Sequence, residues 1–159
     1  MSKIKVKICC ISSPSEAKMA VAAGASALGL VAEMPSGPGT IKDNLIKEIV
    51  ATIPPPIASF LLTSRTDSKS IIEHQKAVGA NTIQIVDALN AGTYEDFRKE
   101  IPAIKIVQVI HVIDDKSLDE ALEVAEKVDA LLLDSGNPNL AVKELGGTGR
   151  THNWEVSRK

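Results

Sequence analysis

Short runs of β-branched and other apolar residues alternate along the chain with longer amphipathic stretches. The strand-like runs cover residues 4–9, 27–32, 57–63, 82–86, 104–112 and 129–134. Their starts fall roughly 20–30 residues apart, the spacing of βαβ units with crossover helices. Between them the pattern predicts helices over 14–23, 42–52, 68–78, 93–100 and 117–127. Local punctuation agrees. Ser13, Pro14 and Glu16 supply an N-cap, a proline at the first helical position and a capping-box acid, and Gly24 marks the stop. Pro54-Pro55-Pro56 cannot continue the second helix. Asp67 and Gly79 bracket the third, and Asp115 or Ser117 opens the fifth. In that fifth helix Leu118, Ala121, Leu122 and Ala125 repeat on one face, the pattern of a helix lying on a sheet.

Consecutive βα units imply parallel strands, right-handed crossovers and sheet faces covered by helices. Two α/β architectures fit: an open doubly wound sheet and a (βα)8 barrel. From periodicity alone, six strands favour the open sheet. No linker, low-complexity segment or charge block divides residues 1–159, so one domain is expected.

Composition narrows the function classes. Apolar residues make up 44 % and charged residues 24 %, ordinary values for a globular protein. Aromatics are only 3 %, so the core is expected to be aliphatic and the base-stacking platforms of a single-strand nucleic-acid binder are lacking. A formal net charge of −2 offers no bulk attraction for nucleic acid or an anionic membrane. Met1 to Lys7 alternates charged and apolar residues, unlike a signal peptide or anchor, and Cys9 and Cys10 are adjacent, which strains a mutual disulfide. A reducing cytoplasm is the expected setting.

In either architecture the ligand site lies at the carboxyl ends of the strands. There stand Cys9 and Cys10, residues 33–40 and 63–65, Val86 and Asp87, His111, and Asp134 with its loop. Cys9 can act as a thiolate base or nucleophile, or be a small buried apolar residue; a metal site is disfavoured, because no CxxC or histidine pair has zinc-like spacing. Asp134 follows the apolar run Ala130 to Leu133. Burial could raise its pKa and make it an acid, or it could bond the backbone of the following loop. Gly146-Gly147-Thr148-Gly149, followed by Arg150, has neither a P-loop ending nor the setting of a dinucleotide fingerprint, and reads as a connector or a lid. His74 is expected on the surface of its helix and Trp154 at the start of a sixth helix; His111 reads first as a structural residue, with ligand contact from its strand end as the lesser alternative.

Several segments together resemble one family. Lys7-Ile8-Cys9-Cys10-Ile11-Ser12 resembles the Lys-Ile-Cys-Gly-Ile-Thr opening of the phosphoribosylanthranilate isomerases of tryptophan biosynthesis. Ala22 to Val31 resembles their second-strand segment, and Leu132-Leu133-Asp134 with Gly147-Thr148-Gly149-Arg150-Thr151 and Trp154 resembles their sixth strand and the loop beyond. The resemblance implies a (βα)8 TIM-barrel-type fold, of which about six βα units are present. It implies an Amadori-type isomerisation of a phosphorylated aminosugar with no cofactor and no metal, with Cys9 as general base and Asp134 as general acid. It also implies that Gly146, Gly147, Thr148, Gly149 and Arg150 form a lid or bind substrate.

There are departures. Met34 to Thr40 lacks the arginine of the family's Ser-Pro-Arg stretch, Gln84-Ile85-Val86-Asp87 stands for Gln-Leu-His-Gly, and Cys10 replaces a glycine. The family continues with two further βα units that hold the substrate phosphate, so a missing C-terminal quarter, little or no activity of the chain alone and possible homo-oligomers are expected. The alternative is a non-catalytic phosphosugar-binding or assembly protein on the same scaffold.

Overall fold

Alternate residues of each central strand serve two different cores. In β2 (Ala27–Val31), Leu28 and Leu30 join Ile46, Ile49 and Leu61 on one side, while Val31 joins Leu62, Val86, Val109 and Leu145 on the other. The computed structural model describes residues 4–159, so Met1 to Lys3 lie outside the described residues. It extends this two-sidedness over six strands: β1 (Lys7–Ile8), β2, β3 (Ala58–Thr63), β4 (Thr82–Ile85), β5 (Lys105–His111) and β6 (Ala130–Asp134). Helices α1 (Pro14–Ala22), α2 (Asp43–Val50), α3 (Ser68–Val78), α4 (Tyr94–Glu100) and α5 (Lys116–Ala125) alternate with them.

The strands are ordered β1 to β6 in sequence, and each neighbouring pair is parallel. A doubly wound sheet reverses its order at a switch point and carries helices on both faces. This sheet never reverses. It curls into part of a barrel with the helices outside, which corrects the open doubly wound alternative and agrees with the barrel type. β1 and β6 are its two edges.

The helix boundaries follow the local chemistry. The Ser13 hydroxyl accepts from the Glu16 N–H, while the Glu16 carboxylate takes the Ser12 N–H and hydroxyl at 2.7 Å each. Asp67 caps α3 through the Ser70 N–H at 2.9 Å, and Gly79 ends it in the left-handed conformation that glycine adopts without strain. Thr93 and Asp96 close a capping box on α4.

Three expectations needed correction. In α5, Leu122 is 66 % exposed and Ala125 also faces out; Leu118 and Ala121 are half-buried and Ser117 is buried. The helix packs on β5 and on the edge strand β6, so half of its apolar stripe has no second strand to cover. His74 is buried, not on the surface, because α3 packs on α2 and the ring Nε2 sits 3.0 Å from Asp43 Oδ1. Trp154 is 62 % exposed and stacks on His152 at 4.8 Å; the chain beyond it forms only a 3-10 turn, Val156–Arg158.

Candidate active site

Period-2 alternation aims Lys7, Val31, Leu62, Gln84, Val86, Val109, Leu132 and Asp134 at one concave face, and Cys9 follows Lys7 by two residues. They line a cavity of about 280 Å³ at the carboxyl ends of the strands. Cys9 enters it from one edge of the sheet and Asp134 from the other. The register that pairs Lys7 with Ala27 and Ile8 with Leu28 brings Gly29 beside Cys9. A methyl group on Gly29 would lie 2.6 Å from the Cys9 Sγ, so glycine at this position is what makes room for the thiol. Cys9 is exposed and unbridged.

Cys10 adopts φ +59°, a left-handed conformation that strains a residue with a Cβ. Its thiol lies 3.8 Å from the Pro38 carbonyl. Burial first, then Cys9 and Glu16, push the Cys10 thiol pKa up.

The walls of the cavity are aliphatic. Its floor is polar: Lys7 Nζ donates to Gln84 Oε1 and stands 4.7 Å from the Phe60 ring centre. Two loops meet over the mouth. The Ser36 hydroxyl donates to the Lys143 carbonyl at 2.6 Å, and Pro38 packs toward Gly147. Met34, in the segment that lacks an arginine, packs against the inner apolar cluster.

The predicted glycine loop divides. Gly146 and Gly147 line the cavity. Thr148 turns aside to Ser135 at 2.8 Å, Gly149 faces open space, and Arg150 pairs with Glu144 away from the cavity. Five residues were expected to act as a unit; two of them reach the site. The arginine is drawn off because a carboxylate stands six positions earlier on the same loop.

Asp134 departs from the sequence expectation in its electrostatics. It is half-buried, and burial does oppose its charge. The imidazole of His111 beside it has the larger effect and, with the Gly136 and Ser135 N–H groups, holds the carboxyl below its ordinary pKa. The Gly136 N–H donates to Asp134 Oδ2 at 3.0 Å, so the loop-bonding role is present as well. His111 is the residue that sequence reasoning undervalued. It is 7 % exposed, its Nε2 lies 2.9 Å from the Val86 carbonyl, and its Nδ1 lies 3.6 Å from Asp134 Oδ2. Burial alone would lower its pKa, but Asp134, the Val86 carbonyl and Asp87 outweigh burial and raise it. Strand parity held a usable signal for both missed residues: Lys7 shares the Cys9 face, and His111 ends β5 as Asp134 ends β6.

Among the described residues no cluster of three metal-ligating side chains occurs, and no helix is long and apolar enough to cross a membrane. No family model matches the chain. Individual proteins do. An N-(5′-phosphoribosyl)anthranilate isomerase 2 of Methanosarcina mazei is 31 % identical over 157 residues, covering 98 % of this chain and 69 % of that protein. The isomerase of Methanosarcina acetivorans is 31 % identical over 99 % of this chain and 70 % of its own. The crystal structure of phosphoribosylanthranilate isomerase from Thermotoga maritima superposes with a TM-score of 0.73 at 24 % identity, over 97 % of this chain and 70 % of that one, a likeness of fold. Identity of this degree over nearly the whole chain, with the same curled parallel sheet, shows that the chain belongs to the N-(5′-phosphoribosyl)anthranilate isomerase family.

Proposed function

We propose that this protein isomerises a phosphorylated aminosugar, phosphoribosylanthranilate in the first instance, with Cys9 as general base and Asp134 as general acid. The observation that carries this reading is the convergence of the two groups on one cavity from opposite edges of the sheet. The acid protonates the sugar ring oxygen, and the ring C–O electron pair passes to that oxygen. The base removes the C2′ proton, and the enolamine that results tautomerises to the ketose. No redox change occurs, so positioned proton transfer and exclusion of water are the main demands on the protein.

The aliphatic walls suit an aromatic ring, and Lys7 is the cation among the lining residues. Gly146 and Gly147 cover the mouth without adding side chains. One domain spanning residues 1–159 supplies these groups, and the two sheet edges, where Ile8 and Leu133 are exposed, offer surface for self-association. The setting is a cytoplasmic one.

The test follows loss of phosphoribosylanthranilate fluorescence with the 159-residue chain, alongside calorimetric binding of reduced 1-(o-carboxyphenylamino)-1-deoxyribulose 5-phosphate. That compound is the ligand in a crystal structure of a fold relative with TM-score 0.68. The expected result is weak turnover that Cys9→Ala and Asp134→Asn each abolish. Binding without turnover would instead establish the non-catalytic alternative. Turnover indifferent to Cys9→Ala would overturn the role of Cys9 as base, and neither binding nor turnover would overturn the isomerase reading.

A further inference from the structure

His111 and Asp134 are direct cross-strand neighbours, the last register pair of β5 and β6. The Val86 carbonyl, 2.9 Å from Nε2, can only accept, so Nε2 must carry a hydrogen. In a neutral imidazole the remaining nitrogen, Nδ1, then presents a lone pair. That Nδ1 is buried, has no hydrogen-bond partner among the described residues, and faces Asp134 Oδ2 at 3.6 Å. A lone pair facing a carboxylate in a buried setting is repulsive. The contact is therefore favourable only when one proton sits between the two groups, either as imidazolium with carboxylate or as imidazole with carboxylic acid. The ring is held to this position on its other side as well. A methyl group on Gly136 would lie 2.6 Å from Nδ1 and 2.8 Å from Cε1, so the ring occupies the space that glycine leaves open.

We propose that His111 is a positioning residue for the general acid: with the half-buried Asp134 the buried imidazole forms a pair that stores the single proton delivered to the substrate. This inference rests on the isomerase reading for its role in turnover, though not for the existence of the pair. Asp134 carries the stored proton to the ring oxygen, and the ring C–O electrons pass to that oxygen. The pair, left as carboxylate and neutral imidazole, then takes a proton from water. A second cavity of about 540 Å³ beside His111, bordered by Asn90, Lys116 and Asn139, gives that water a route separate from the substrate cavity.

The charges around the ring come from every neighbouring element. Asp134 approaches from β6, Asp87 from the end of β4, Glu120 and Lys116 from α5, Asp114 from the loop before it, and Lys143 from the loop after β6. Lys143 is paired with Asp87 at 2.5 Å, which leaves Asp134 as the carboxylate in contact with Nδ1.

Two measurements test the pair, one of them independent of turnover. The chain has three histidines, so long-range ¹⁵N–¹H spectra of a histidine-labelled sample can be assigned by single substitution. His111 should hold both ring hydrogens at neutral pH and lose one only above the ordinary imidazole range. In Asp134→Asn it should lose that hydrogen at lower pH. The second measurement is the pH profile of kcat for His111→Gln, which keeps an N–H donor but cannot store the proton. Its alkaline limb should move down toward the carboxylate range, with kcat at neutral pH falling by about tenfold or more and KM little changed. A merely structural role would lower the amount of folded protein without moving the limb. A neutral His111 at pH 7 whose titration ignores Asp134→Asn overturns the pair, as does an unmoved limb. Should the wild-type chain lack turnover, the isomerase reading fails, and the imidazole titration by itself decides whether the proton is shared.

Discussion

Cys9 at the β1 edge and Asp134 at the β6 edge face one cavity from opposite surroundings. Cys9 is an exposed thiol at the end of a two-residue strand, with a glycine on the next strand making room for it. Asp134 ends a five-residue strand, is half-buried, bonds the loop that follows and faces a buried imidazole. The difference matches the tasks proposed for them. A base that attacks a C–H bond needs access and freedom to approach, whereas an acid working near neutral pH needs a source of protons and a fixed direction. A glycine serves each edge, Gly29 by the thiol and Gly136 by the imidazole.

Removing either group should have the largest effect. Cys9→Ala and Asp134→Asn should each lower turnover by about 10²-fold or more, the usual scale for general acid–base catalysis. Steady-state assay of both variants checks this, and equal residual rates with wild type would remove the functional basis of the comparison. The two glycines should separate stability from rate. Gly136→Ala places a methyl group against the Glu144 carbonyl and the His111 ring, and should destabilise the fold by about 1–3 kcal/mol. Gly29→Ala meets the movable Cys9 Sγ at 2.6 Å and the Cys9 Cα only at 3.1 Å, so it should cost less stability than Gly136→Ala while losing about tenfold in turnover through a displaced thiol. Urea midpoints that rank the two variants the other way would contradict this division.

A smaller effect distinguishes the edges by pH. The Asp134 pKa is lowered, so its contribution to stability is present above the ordinary carboxylate range and lost as pH falls through the lowered value. The His111 pKa is raised, so its contribution is complete below the ordinary imidazole range and lost as pH rises through the raised value. The stability difference between wild type and Asp134→Asn should therefore be greatest between those two ranges and shrink on both sides. Urea midpoints measured across pH test the shape. Least of all, Cys10→Gly should relieve the left-handed backbone and stabilise the protein by at most about 1 kcal/mol, because the added freedom of the unfolded chain offsets part of the gain.

Much of this was legible in the sequence, and the reasons are local. Apolar alternation and caps such as Asp67 and Gly79 act within a few residues, so strand and helix positions emerged with shifts of one or two residues in most elements. The exceptions mark the edges. The first strand, read as 4–9, is ladder-paired only over Lys7–Ile8, and α5 shows Leu122 to solvent. A helix wheel reveals which face is apolar and nothing about how much of that face will find a partner.

The site divides in the same way. Cys9 and Asp134 could be chosen from the chain because a strand's carboxyl end is a position along the sequence. What the chain alone left open was the company they keep. Asp134 was expected to be made acidic in function by burial, yet its partner His111 lies twenty-three positions earlier and meets it only through the parallel register of β5 and β6. Arg150 was expected with the lid, yet Glu144 draws it away. The order of polar and apolar residues determined six strands with five helices between them and the end of the sheet where chemistry takes place. Only the tertiary structure decided which side chains touch there, because charge and hydrogen bonding act across a few ångströms of space, and neighbours in space are set by strand register and loop closure.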